Sequence, residues 1–202
     1  MKIKYYENDL PKNINFGNIV AIDTETMGLN PKRDRLCLVQ LSSGDNICHL
    51  IKIIDFRKKP KNLIKLLENN KIMKIFHFAR FDVAVLKNNL NIKIENIYCT
   101  KIASKLARTY TDKHGYKDLC KELLNKSISK IEQSSDWGGK LSAKQKKYAA
   151  TDVLYLHKIK KQLDIMLDRE NRKNIADICF NFISHRADLD LLGWQDVDIF
   201  KH

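Results

Sequence analysis

Three short blocks carry four carboxylates in order along the chain: Asp23-Thr24-Glu25, His77-Phe78-Ala79-Arg80-Phe81-Asp82 and Tyr148-Ala149-Ala150-Thr151-Asp152. Each block falls where the local pattern puts acids at an exposed edge of an apolar core. Convergent acids repel one another unless cations hold them together. The pattern therefore points to a divalent-metal site.

The first block follows Asn18-Ile19-Val20-Ala21-Ile22, an apolar run that reads as a buried strand. Side chains alternate along a strand, so Asp23 and Glu25 project from the same face. Met27-Gly28-Leu29-Asn30-Pro31 then turns the chain. The third block lies in a helix that opens on a capping box, Ser142 with Gln145, and keeps apolar positions at Ala149, Ala150, Val153, Leu154, Leu156 and Ile159. Tyr148 and Asp152, four apart, share one face, and the small Ala149 and Ala150 permit close approach. The middle block passes from a strand, Ile72 to His77, into a helix whose first turns hold Asp82, where the helix dipole favours its charge. Taken singly, the blocks have ordinary structural readings: a solvated strand end, an acid at a helix start, an amphipathic helix with a boundary tyrosine. Their joint occurrence, in this order, points to a site.

The blocks resemble the three exonuclease motifs of the DEDD 3′-to-5′ exonucleases, in the subclass with Tyr in the third motif. Leu36 to Leu41, His114 to Leu119 and Gln133 to Trp137 are similar to segments of ribonuclease D. The length, the His77 to Asp82 block and the ending Leu191 to Phe200 resemble the short ribonuclease D-like enzymes called nano-RNase C. The resemblance implies a ribonuclease-H-like α/β fold, a mixed central sheet flanked by helices with a helical C-terminal half. It also implies two divalent cations, Mg²⁺ or Mn²⁺, of the kind that act as a pair roughly 3.5–4 Å apart in phosphodiester hydrolysis. Asp23 is expected to bridge both ions, Glu25 and Asp152 to complete the shell of the first, and Asp82 to act largely through waters of the second. Glu25 would also meet the terminal 3′ hydroxyl, and Tyr148 would orient the attacking water. By the same resemblance Leu29 wedges between the two bases of a dinucleotide; read locally, it equally well closes the core beside its turn. His77 is expected to be a hydrogen-bonded residue beside the substrate rather than a ligand, because hard cations prefer oxygen. Arg80, Arg108 and Lys113 are candidates for phosphate contact, without specific context.

Bulk properties suit one exonuclease domain over 1–202, with no linker, repeat or low-complexity tract. Larger ribonuclease D proteins carry helical nucleic-acid-binding domains after the catalytic one, and their absence here favours a small substrate. Strands are predicted near 19–25, 35–42, 46–51, 72–77 and 92–98, and helices from about 100 to the end of the 170s. The formal charge of +13 fits a polyanionic partner, although 29 Lys against 8 Arg, with abundant Ile and Asn, also fits an AT-rich genome. Five scattered cysteines without a Cys-x-x-Cys pair fit reduced thiols in the cytoplasm. No apolar run is long enough for a membrane span. The apolar ending around Trp194 either packs back on its own core or meets another subunit. The resemblance implies the latter, a homo-oligomer with a ring-shaped octamer as one form.

The leading expectation is a metal-dependent 3′-to-5′ exoribonuclease that hydrolyses dinucleotides and very short oligoribonucleotides to nucleoside 5′-monophosphates. The alternatives are trimming of longer RNA 3′ ends in the manner of ribonuclease D, exonucleolysis of DNA, or a non-catalytic nucleic-acid-binding module.

Overall fold

In the computed structural model, which describes all residues except Phe56, Lys130, Ile131, Gln133, Ser134 and His202, the chain builds one mixed sheet. Its strands are β1 (Lys2–Glu7), β2 (Ile19–Thr26), β3 (Leu36–Ser42), β4 (Ile47–Lys52), β5 (Met73–Phe76) and β6 (Ile97–Cys99), in the spatial order β1-β4-β3-β2-β5-β6. β2, β3 and β4 run antiparallel, β5 and β6 join β2 in parallel, and β1 lies parallel to β4. This is the ribonuclease-H-like arrangement with one added edge strand. β3 is buried along its whole length and supplies the sheet's centre.

Helices α1 (Lys61–Glu68), α2 (Ala79–Leu90), α3 (Thr100–Ala107), α4 (Tyr116–Leu124), α5 (Ala143–Leu154), α6 (Leu156–Arg169) and α7 (Lys173–Leu192) surround the sheet. α5 packs across β2, β3 and β4, while α2 rests on α7 and α3 on α6. The capping box at Ser142 is present, with Gln145 N donating to Ser142 Oγ at 3.1 Å and Ser142 N to Gln145 Oε1 at 2.9 Å.

Five elements differ from the sequence pattern, two of them simply: the strand expected near 92–98 is confined to Ile97–Cys99, and α1 was not expected. β1 was not expected: Lys2-Ile-Lys-Tyr-Tyr-Glu7 is half-buried and charged, as suits a sheet edge that must not pair further. α7 continues to Leu192, well beyond the 170s, because Ala176, Phe180, Ile183 and Ala187 keep a buried stripe that the surrounding acids and basic residues obscure. The helix expected to run from Ala143 through Ile159 breaks at Tyr155. Beyond α7 the tail lies against Arg80 and Arg186, which donate to the Trp194 and Gln195 carbonyls, yet Trp194, Val197, Ile199 and Phe200 remain exposed. All five cysteines are free. Among the described residues no helix is long and apolar enough to cross a membrane.

Candidate active site

Strand alternation in β2 turns Asp23 and Glu25 toward one side and Thr24 toward the other. Gln40, opposite Asp23 in the β2–β3 ladder, donates from Nε2 to Asp23 Oδ2 at 3.1 Å and to Glu25 Oε1 at 3.4 Å. A register shift between Glu25 and Thr26 loosens the pairing where the acids end. α5, lying across these strands, delivers Asp152. Asp23, Glu25 and Asp152 each offer an oxygen, and these atoms lie within 4.8 Å of one another. Asp82, in the first turn of α2, is reached through Thr24, whose Oγ1 donates to Asp82 Oδ1 at 2.7 Å. It stands outside the three-carboxylate group but within its field.

The electrostatics show what this gathering costs. Burial pushes Asp23 well above the carboxylate range, and the charges of Asp82, Asp152 and Glu25 push it further against one backbone hydrogen bond at Thr24. Glu25 rises to about 9, from burial and then from Asp152 and Asp82. Asp82 rises to about 7, again chiefly from burial, with the Thr24 hydroxyl working the other way. The guanidinium groups of Arg80 and Arg108 are spent on Asp190 and Glu122. Positive charge is what this all-oxygen donor set calls for, so it fits a hard divalent cation.

Tyr148 sits one turn before Asp152 and packs its ring 6.0 Å from that of Trp137. Burial, then Asp152, Glu25 and Asp23, drive its phenol above the ordinary 10.0. Tyr148 therefore keeps its proton at neutral pH and can donate a hydrogen bond, but it is not a base. Trp137 is buried, and its carbonyl accepts from the buried Lys52 ammonium.

Leu29 is 88% exposed, which rules out the local core-closing role. Its loop is firmly built: Asn30 N donates to Asp34 Oδ2 at 2.9 Å, and an added Cβ at Gly28 would overlap that carboxylate. The loop thus presents an apolar side chain to solvent. His77 is hydrogen-bonded, its Nδ1 lying 2.9 Å from Thr100 Oγ1 and its ring 5.7 Å from that of Tyr116.

Two of the phosphate-contact candidates are committed elsewhere. Arg108 is fully buried, bonded to Glu122, to Ser104 Oγ and to the Lys113 carbonyl, so it braces α3 against α4. Arg80 holds Asp190 through Nε and Nη2 at 2.6 and 2.7 Å. Lys113 is exposed. Gln40 and Thr24, by contrast, touch the acids directly and were missed. Gln40 was legible as a lone amide inside an otherwise apolar strand, whereas nothing local marks Thr24. Of the segment Gln133 to Trp137, Gln133 and Ser134 lie outside the described residues.

Carboxylates drawn together at this cost on a ribonuclease-H-like sheet, with the protonated Tyr148 phenol in their field, fit the divalent-cation chemistry that phosphodiester hydrolysis uses. The chain belongs to the 3′-5′ exonuclease family, whose model matches residues 6–168. It is similar over its whole length to Brucella melitensis NrnC. The structure of that protein bound to pGG is 53% identical with a TM-score of 0.96, covering 100% of this chain and 99% of that one. Its structure with bound Mg²⁺ is 52% identical with a TM-score of 0.95, covering 100% of both chains. Escherichia coli RNase D, an exoribonuclease involved in structured RNA processing, is 25% identical with a TM-score of 0.73 over 84% of this chain and 45% of its own. Ribonuclease D of Gluconacetobacter diazotrophicus is 31% identical over 157 residues, or 76% of this chain, which spans only 39% of that relative's length.

Proposed function

We propose that this chain, as one exonuclease domain, hydrolyses very short RNA from the 3′ end, dinucleotides foremost, and releases nucleoside 5′-monophosphates. The observation that carries this reading is the convergence of Asp23, Glu25 and Asp152 oxygens within 4.8 Å. Asp23, Glu25 and Asp152 hold one divalent cation, Mg²⁺ or Mn²⁺. Asp23 and Asp82 would serve a second such cation, Asp82 lying beside the group through the Thr24 hydroxyl. When bound, the cations neutralise the phosphodiester and acidify water. Tyr148, protonated and one turn from Asp152, directs its hydroxyl to the attacking water and aims it at phosphorus. Glu25 accepts from the terminal 3′ hydroxyl, which makes the reaction start from an end. Leu29, exposed on its braced loop, inserts between two bases, and His77 borders the substrate.

The preference for two nucleotides is supported by the similarity to NrnC, for which a complex with pGG exists. A homo-oligomer, of which a ring of eight is one form, is supported by apolar surface: Ile175, Ile178 and Phe182 along the outer side of α7, Leu192 at its end, and Trp194 and Phe200 beyond it. Free thiols suit a cytoplasmic setting.

The test is cleavage of end-labelled RNA of two, three, seven and twenty nucleotides with Mg²⁺ or Mn²⁺, beside an Asp23→Asn control. Dinucleotide cleavage far faster than the rest, and none by the control, is expected. Rates level or rising with length would point instead to trimming of longer RNA, and retention without cleavage to a binding module. Normal turnover by Asp23→Asn would refute the metal assignment.

A further inference from the structure

The break between α5 and α6 has a specific chemical cause. In a continuous helix the Thr151 carbonyl accepts from the Tyr155 N–H, four residues on. Here the Tyr116 hydroxyl occupies that bond: it donates to Thr151 O at 2.7 Å and accepts from Tyr155 N at 3.2 Å. A side chain inserted into the helical ladder bends or interrupts the helix at that point. α5 accordingly stops at Leu154, Tyr155 takes φ −106° and ψ −2°, and α6 begins at Leu156.

A buried tyrosine needs a partner for its hydroxyl, and one carbonyl would satisfy it. Tyr116 instead takes both halves of a single backbone hydrogen bond, and does so in the turn that carries Asp152. Its ring also packs against His77, whose Nδ1 lies 2.9 Å from Thr100 Oγ1, and that hydroxyl in turn donates to Phe76 O at the end of β5 at 3.1 Å. The first residue of α4 thus stands between the second and third acidic blocks and touches the backbone of the third.

We infer that Tyr116 is a positioning residue: by splitting the helix one turn after Asp152 and two after Tyr148, its hydroxyl sets the direction from which the Asp152 carboxylate meets Asp23 and Glu25. The inference rests on the proposed metal-binding role of Asp152. Without the hydroxyl, Thr151 O and Tyr155 N can close on each other, the helix straightens, and Asp152 swings relative to β2 while the rest of the core is kept.

The experiment compares wild type, Tyr116→Phe, Asp152→Asn and a chain with para-aminophenylalanine at position 116, which restores the donor to Thr151 O and a weaker acceptor for Tyr155 N. Mn²⁺ affinity is measured without substrate by calorimetry or electron paramagnetic resonance, alongside kcat, KM on an RNA dinucleotide, and the thermal midpoint in EDTA. Groups that orient a ligand typically affect metal affinity or activity by about 10–100-fold. Tyr116→Phe is therefore expected to weaken Mn²⁺ binding and lower kcat by about tenfold or more, with KM within about twofold and the metal-free midpoint nearly unchanged. The para-amino variant should recover most of both losses. If wild type binds Mn²⁺ and Asp152→Asn does not, then unchanged Mn²⁺ affinity and kcat in Tyr116→Phe overturn this inference alone. Loss of the thermal transition in Tyr116→Phe overturns it too, because the hydroxyl would then serve the whole fold. Wild-type affinity in Asp152→Asn would sink the metal assignment itself.

Discussion

Glu25→Gln should make the metal-free protein more stable at alkaline pH, and the size of the effect follows from the site. Glu25 titrates near 9 when folded, against an ordinary 4.5. Between those values the folded chain holds a proton that the unfolded chain releases, so stability is fully present below 4.5 and is lost as pH rises toward 9. At about 1.4 kcal/mol per pH unit, holding Glu25 protonated at pH 8 costs the fold about 5 kcal/mol. A glutamine amide at this position has no proton to hold, accepts from the Gln40 amide as the carboxyl does, and escapes this cost. In a chain of this size each kcal/mol moves the midpoint by about 2–4 °C, so even half the effect is about 5 °C or more. The assay is thermal unfolding in EDTA at pH 5 and pH 8, repeated with Mg²⁺. Wild type should lose much more of its midpoint between the two pH values than Glu25→Gln, and Mg²⁺ should restore wild type at pH 8 far more than the variant, because the cation replaces the proton. Equal losses in EDTA would refute the reasoning, since the buried carboxyl would then not be the group under strain.

Four further outcomes are expected. Tyr148→Phe should lower kcat by about a hundredfold or more while Mn²⁺ affinity, read by calorimetry, stays near wild type, because the ring and its contact with Trp137 survive. Leu29→Ala should leave the urea midpoint unchanged within about 0.5 kcal/mol, since the side chain is exposed, yet raise KM for a dinucleotide more than for longer RNA. Arg108→Ala should cost about 3 kcal/mol in urea unfolding, because it empties a buried site and strands the partners of its guanidinium. Ile178→Glu with Phe182→Glu should shift light-scattering mass toward the monomer if the α7 stripe is a subunit contact.

Much of the site, though not its assembly, could be read before the fold was seen. Alternation along β2 already required Asp23 and Glu25 to face together, the four-residue spacing already put Tyr148 above Asp152, and Ser142 with Gln145 already marked where their helix begins. The Leu29 turn, the strand-to-helix setting of Asp82 and most strands were equally local. β1, the length of α7 and the core role of Arg108 were not, because charged residues there look solvated until their neighbours are known.

These local rules set the direction of a side chain within its own element and nothing about its distance from another. The ladder register that puts Gln40 against Asp23, the Thr24 hydroxyl that meets Asp82, the exposure of Leu29 and the insertion of Tyr116 into the helix after Asp152 came only with tertiary structure. Each depends on strands and helices remote in sequence being brought together by burial of the shared core, which no short window of residues contains.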